Sequence, residues 1–255
     1  MIAQERALSP APEAFGAAYE RGAGLVWTKR ISDLETPVSA MLKLGADAPG
    51  AFLLESVQGG DFRGRYSIIG IRPDLVWRVR EGRAEISRGG FGDDAFRAQR
   101  DAPLKSLRKV LARSALELPL ELPPMAAGLF GYLGYDMVRF MERLPDKSAD
   151  PLGTPDALLV RPTVIAVFDN VTSEITLITP ARKRGRQSAT QAYEAARARL
   201  DRVRRQLDRP LARKAAPNAP TQAFPEQCSN TTPEEYRALV GKCKGYTLTG
   251  DVFQV

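Results

Sequence analysis

The run Phe52-Leu53-Leu54-Glu55-Ser56 takes an apolar stretch to its end on a carboxylate and a hydroxyl. As a strand it sets Phe52, Leu54 and Ser56 on one face and Leu53 and Glu55 on the other. Such an end suits the ammonium and carboxylate of an amino acid, with its side chain against the leucines. A strand that simply leaves the core and turns polar is the commoner outcome for a run of this kind. Gly59, Gly60 and Gly64 beside Arg63 and Arg65 could form an anion nest, but a mobile surface loop between two strands is the commoner outcome and the preferred reading. Gly128, Gly131 and Gly134 recur every third residue, which is not the dinucleotide fingerprint, and no Walker A lysine is present. Small residues at that period let a strand or turn approach a neighbouring element closely.

The chain has no histidine, which excludes Ser-His and Cys-His nucleophile pairs and any histidine metal ligand. Acid–base chemistry would fall to carboxylates, lysine or tyrosine. Cys228 and Cys243 make neither a disulfide framework nor a metal-ligand spacing, and read as free thiols in a reducing compartment.

The elements that would position these residues are mostly short and apolar. Gly24–Arg30 alternates as a strand, and Thr36-Pro37 caps and opens a helix that Gly45 stops. Strand-like runs over 65–71, 74–80 and 83–87, with Arg72-Pro73 and Glu81-Gly82 as turns, predict an antiparallel meander. Leucines at 104, 107, 111 and 118 mark a helix over about 103–117. Residues 136–141 read as a helical turn or two. Residues 158–168 and 174–179 form a hairpin across Asp169-Asn170, which has Asx turn chemistry.

Ser188 and Gln191 form a capping box for a helix ended by Pro210, with an apolar stripe from Ala189 to Leu207. A second box, Thr232 with Glu235, opens another helix, which Gly245 and the β-formers around it should weaken. Residues 250–255 read as a turn entering a strand, where the sequence breaks off.

With 255 residues, 44% hydrophobic and 26% charged, the composition is that of an ordinary globular protein. The first fifteen residues have neither a basic nor an apolar signal region, and no window has the ~18 apolar residues of a membrane helix. A soluble, cytoplasmic protein without membrane partners is expected. The net charge of +7 is local: twelve Lys/Arg against three acids between Ala181 and Lys214 give +9, leaving −2 for the rest. These arginines lie off the apolar stripe and lack interleaved aromatics other than Tyr193, so a solvated helix face is expected rather than a nucleic-acid surface.

Taken together, the segments resemble component I of anthranilate synthase, among the chorismate-utilising enzymes. The matching stretches are D-L-E-T-P-V-S-A-M-L-K-L (Asp33 to Leu44), F-L-L-E-S (Phe52 to Ser56) and G-R-Y-S-I-I-G (Gly64 to Gly70). A-A-G-L-F-G-Y-L-G-Y-D-M-V-R-F-M-E (Ala126 to Glu142) and the terminal G-D-V-F-Q-V match too. The resemblance covers nearly all of this chain and about the amino-terminal half of the family's length.

The resemblance implies an α+β fold, with antiparallel sheets sandwiched between helices and the carboxy-terminal half missing. The residues themselves suggest a loose arm (1–15) and, in a Pro-, Ala- and Asn-rich stretch, a linker (210–231). The resemblance makes 16–209 an amino-terminal domain and 232–255 the start of a truncated chorismate-binding domain. It implies conversion of chorismate and ammonia to anthranilate and pyruvate with Mg2+, ammonia coming from a glutamine amidotransferase partner subunit. It implies feedback inhibition by tryptophan, whose pocket carries the L-L-E-S signature and a second serine after ten residues, matched by Ser67. Leu54, Glu55 and Ser56 are thus the effector-site candidates. Catalytic and metal-binding residues are expected beyond Val255, so this chain alone is not expected to make anthranilate. The alternatives are a non-catalytic module that binds tryptophan or the partner, and component I of aminodeoxychorismate synthase.

Overall fold

A computed structural model describes residues 7–45, 48–55, 64–145, 150, 152–183, 185–211 and 228–254. The chain forms two compact units, residues 1–211 and 212–255.

In chain order the first unit holds α1 (Pro12–Glu20), β1 (Ala23–Ile31), α2 (Pro37–Leu44), β2 (Phe52–Leu54), β3 (Tyr66–Arg80), β4 (Arg83–Ser87) and β5 (Arg97–Ala98). It continues with α3 (Pro103–Ser114), β6 (Phe130–Leu133), β7 (Ala157–Asp169), β8 (Glu174–Arg182) and α4 (Ala189–Leu207). Among the described residues the strands form one antiparallel eight-stranded sheet, ordered β1-β8-β7-β3-β4-β5, with β2 beside β3 and β6 beside β7. The expected mixture of antiparallel sheet and helices is what forms.

Period-two alternation sorts the core. Val26, Val164, Ala166, Phe168, Ile175 and Leu177 pack under α1, α2 and α4. Their neighbours Leu25, Trp27, Ile165, Val167 and Ile178 face a strap of irregular chain between α3 and β6, through Leu122 and Ala126. The strap makes few backbone hydrogen bonds of its own, Leu122 N–H to Pro119 O (3.0 Å) and Ala126 N–H to Pro123 O (2.9 Å) among them. Burial of its apolar side chains is therefore what seats it.

Four sequence expectations are corrected. First, residues 7–15 are not a loose arm. Ser9 exchanges two 2.8 Å backbone hydrogen bonds with Trp27, and Phe15 is fully buried, stacked on Tyr19 and edge-on to Tyr193 of α4. Second, Arg72-Pro73 is a bulge inside β3, not a turn. Arg72 takes φ 52°, and the register with β7 shifts between Pro73 and Leu75. Proline has no N–H for the ladder, so the strand skips there and resumes on the same partner. Third, α3 ends at Ser114, short of Glu117.

The fourth correction concerns the second unit, described by itself. Its helix α5 (Pro233–Thr249) runs through Gly245, and residues 250–254 carry no strand. The Thr232–Glu235 box secures one end, and Gly250 at φ 80° closes the other, with Asp251 N–H bonded to Tyr246 O. The caps at both ends work against two interior glycines, Gly241 and Gly245, each of which costs about 1 kcal/mol. Residues 212–227, within the expected linker, lie outside the described residues.

The Glu81-Gly82 turn forms with positive φ at both residues, and Asp169 Oδ1 accepts from the backbone of Val171 and Thr172 in the β7–β8 turn. The Ser188–Gln191 box is present, and the α4 stripe from Ala192 to Leu207 is buried. Its arginines are partly engaged: Arg199 reaches Thr179 Oγ1 at 2.9 Å, and Arg204 reaches Asp201 at 3.3 Å. No described helix is long and apolar enough to cross a membrane.

Candidate functional site at the end of the second strand

The short strand β2 pairs Phe52 with Gly70, Leu53 with Ile69 and Leu54 with Ile68. Leu53 packs into the core beneath α2, while Phe52 turns to the opposite side, as alternation requires. The Phe52 ring lies so close over Gly70 that a Cβ there would meet ring carbons at 2.3 Å. Phe52 also packs on Phe130 of β6, centroids 4.9 Å apart. Gly70 is therefore a site of close approach, the use to which strands put glycine.

At the open end of β2, Leu54 is 50% exposed and Glu55 is exposed. Glu55 makes no hydrogen bond or ion pair among the described residues. An exposed leucine and an exposed carboxylate with no partner among the described residues thus occupy consecutive positions where β2 ends. Ser56 and the loop glycines Gly59 and Gly60 lie outside the described residues. Ser67, the second serine of the signature, is 1% exposed in β3 and opposite Phe168.

The flanking motifs have structural work of their own. Thr36 Oγ1 accepts from Ser39 N–H (3.1 Å), and Ser39 Oγ accepts from Thr36 N–H (2.9 Å), closing a capping box on α2. Ser39 also donates to Glu35, whose carboxylate pairs with the largely buried Lys43 at 2.5 Å. Lys43 donates on to Leu207 O at the end of α4, so the segment 35–43 ties α2 to that helix. Arg65 grips Asp169 through Nε and Nη2, at 3.1 and 2.7 Å. That bond, followed by the N–H groups of Val171 and Thr172, holds the Asp169 carboxyl below its ordinary pKa.

In the third motif, Gly131 at φ 150° lies against the backbone of Leu158, where a Cβ would meet the carbonyl oxygen at 2.0 Å. Gly134 is held in the same way, since a Cβ there would meet Asp156 O at 2.8 Å. At Gly128 a Cβ would meet nothing nearer than a Phe130 ring carbon at 3.8 Å, so close approach accounts for two of the three glycines. The residues 135–140 form a 3₁₀ helix, with Asp136 bonded to Arg139 at 2.6 Å. Tyr132 donates to Pro155 O, and burial, aided by Asp156, raises its pKa.

Two features escaped the sequence reading. One is the Phe52–Gly70–Phe130 contact, which a glycine inside an apolar strand and an unexplained aromatic could have signalled. The other is the ion pair of Arg161 with Asp74 (2.7 Å), 5% exposed at the arginine. Asp74 sits at the bulge, and the Arg-Pro-Asp run read as a turn disguised it.

The described residues offer no fit for Mg2+: no group of three or more Cys, Asp or Glu side chains comes together. Glu85 and Asp93, which both approach Arg78, are taken up by it at 2.7 and 2.6 Å.

A family model described as chorismate binding enzyme matches residues 53–255, from within β2 onward. The chain belongs to this family of chorismate-binding enzymes. It is 45% identical over 247 residues to anthranilate synthase component 1 of Cereibacter sphaeroides, covering 95% of this chain and 49% of that protein. It is 38% identical over 229 residues to the protein of the same description from Pseudomonas aeruginosa, covering 88% and 45%. The crystal structure of anthranilate synthase component I from Streptococcus pneumoniae superposes with a TM-score of 0.50 at 21% identity, over 87% of this chain and 45% of that one. That likeness supports the fold. The chain spans about half the length of the relatives it matches.

Proposed function

We propose that this family member belongs to a component I of anthranilate synthase and forms its amino-terminal, tryptophan-sensing portion. The reaction proposed for the whole protein takes chorismate and ammonia to anthranilate and pyruvate, in the cytoplasm. Ammonia would come from a glutamine amidotransferase subunit, and Mg2+ would supply Lewis-acid help at chorismate when bound. No residue of this chain is assigned a catalytic or metal-binding role.

The observation that carries the sensing role is the end of β2. A half-exposed leucine and a carboxylate without a partner among the described residues lie in the L-L-E-S signature, which by the family resemblance belongs to the effector pocket. In this reading Glu55 accepts the tryptophan ammonium, Ser56 bonds its carboxylate, and the indole packs on Leu54. An aromatic side chain of this size buries about 150–250 Å2, worth on the order of 4–6 kcal/mol before ordering costs. To inhibit, tryptophan must bind the inactive arrangement better than the active one, because affinity alone shifts no equilibrium.

Calorimetric titration of tryptophan into this chain and its Ser56→Ala variant tests the assignment. Binding should weaken roughly ten-fold or more when the hydroxyl is removed, since it leaves a charged ligand group unpaired. Equal affinities would overturn it.

A further inference from the structure

A groove of about 790 Å3 runs beside β1, between α1 and the strap that follows α3. Its volume falls within the ~300–1,000 Å3 of small-molecule sites. The floor is apolar, with Leu25 and Trp27 of the sheet at 5% and 6% exposure, and Leu116 and Leu118 of the strap line it as well. The other lining is strongly cationic: Arg21, Arg88, Arg113, Arg161, Arg182 and Lys183 against the carboxylates of Glu117 and Glu121.

Part of that charge is already answered. Arg21 pairs with Glu117 at 3.4 Å, Lys183 with Glu20 at 2.5 Å, and Arg161 with Asp74 at 2.7 Å. Arg161 and Arg182 also converge on the last residue of α3, donating to Ser114 Oγ and Ser114 O at 3.0 Å each. Two arginines meet what the carbonyl end of that helix asks for. Arg88 and Arg113 remain, lining the same groove with no ion pair among the described residues.

We infer that this groove is a binding site for a small organic carboxylate with an apolar ring or chain. Its carboxylate would be met by Arg88 and Arg113, and its body would lie on Leu25 and Trp27. Arg161 and Arg182, held by their bonds to Asp74 and Ser114, form a fixed cationic wall behind the two free guanidinium groups. Preorganised donors of this kind lose little entropy on binding. An apolar floor with cations along it matches an amphiphilic anion, whereas a nucleic acid needs an open run of phosphate contacts. The inference stands on residues other than Leu54, Glu55 and Ser56, so it does not depend on the tryptophan reading.

Of the two tryptophans in the chain, Trp27 lines the groove, and Trp77 is fully buried in a separate cluster. Quenching of tryptophan fluorescence by 2-naphthoate therefore reads the site. We expect saturable quenching that disappears in Trp27→Phe. The double variant Arg88→Gln/Arg113→Gln should bind about ten-fold more weakly or worse, as expected when charged hydrogen bonds are removed. Neutral 2-naphthalenemethanol should bind far less well than 2-naphthoate, and Ser56→Ala should bind 2-naphthoate as wild type does. Absence of saturable quenching overturns the inference, and so does quenching that survives in Trp27→Phe. Equal binding of the neutral compound overturns it as well, even if the double variant fails to fold. With the fold intact by circular dichroism, wild-type affinity in the double variant does the same.

Discussion

Replacing Gly70 with alanine tests whether the F-L-L-E-S and G-R-Y-S-I-I-G segments are one packed unit. The new Cβ would stand 2.3 Å from two ring carbons of Phe52, so the ring must withdraw by about 1 Å to reach an ordinary contact of 3.4 Å. Phe130 hinders that retreat, with its ring centroid 4.9 Å from that of Phe52. Overpacking of this kind costs about 1–3 kcal/mol. Loss of glycine's freedom in the unfolded chain returns about 0.4–1 kcal/mol. A net destabilisation of about 1–2 kcal/mol lowers Tm by roughly 2–8 °C in a unit of this size. Urea melts followed by circular dichroism measure it, with Phe52→Leu added to vacate the space. The double variant should lose less stability than the two single losses added together, because the second change removes the clash created by the first. A neutral Gly70→Ala, or strictly additive losses, would refute the packing argument.

Other substitutions bear on the charged and tightly packed parts of the sheet. Asp74→Ala leaves the buried Arg161 guanidinium without its carboxylate and should cost about 3–5 kcal/mol, read as a lower urea midpoint at unchanged slope. Asp169→Asn should remove a pH dependence. The folded carboxyl titrates below its unfolded value of about 3.9, so its stabilisation is present above that pH and is lost as pH falls through the folded pKa. The stability gap between wild type and Asp169→Asn should accordingly stay level above about pH 5 and narrow below about pH 4. Gly131→Ala should be worse than Gly70→Ala, because its Cβ meets a backbone carbonyl rather than a ring that can move. Comparative thermal melts decide the order.

What could be read from the sequence was what local chemistry decides. Ser188 with Gln191, Thr232 with Glu235 and Thr36-Pro37 announced helix starts because caps are made within four residues. Asp169 announced its turn for the same reason. What was misread depended on distant partners. Pro73 looks like a turn until β7 is seen to pair on both sides of it. Phe15 looks like part of a loose arm until Tyr193, far along the chain, covers it. At the candidate site, the apolar strand and its polar end were visible as residue types. The contact of Phe52 with Gly70 and Phe130 was not, since it joins three elements.

Tryptophan is proposed to be received where β2 ends. Titrating tryptophan into isotopically labelled chain and following its amide resonances tests this most directly. Saturable shifts centred on Leu54, Glu55 and their β3 neighbour Ile68 are expected, with a midpoint raised about ten-fold or more by Ser56→Ala while the spectrum of the free variant stays as in wild type. Shifts that cluster elsewhere, or a spectrum that tryptophan leaves unchanged, would contradict it.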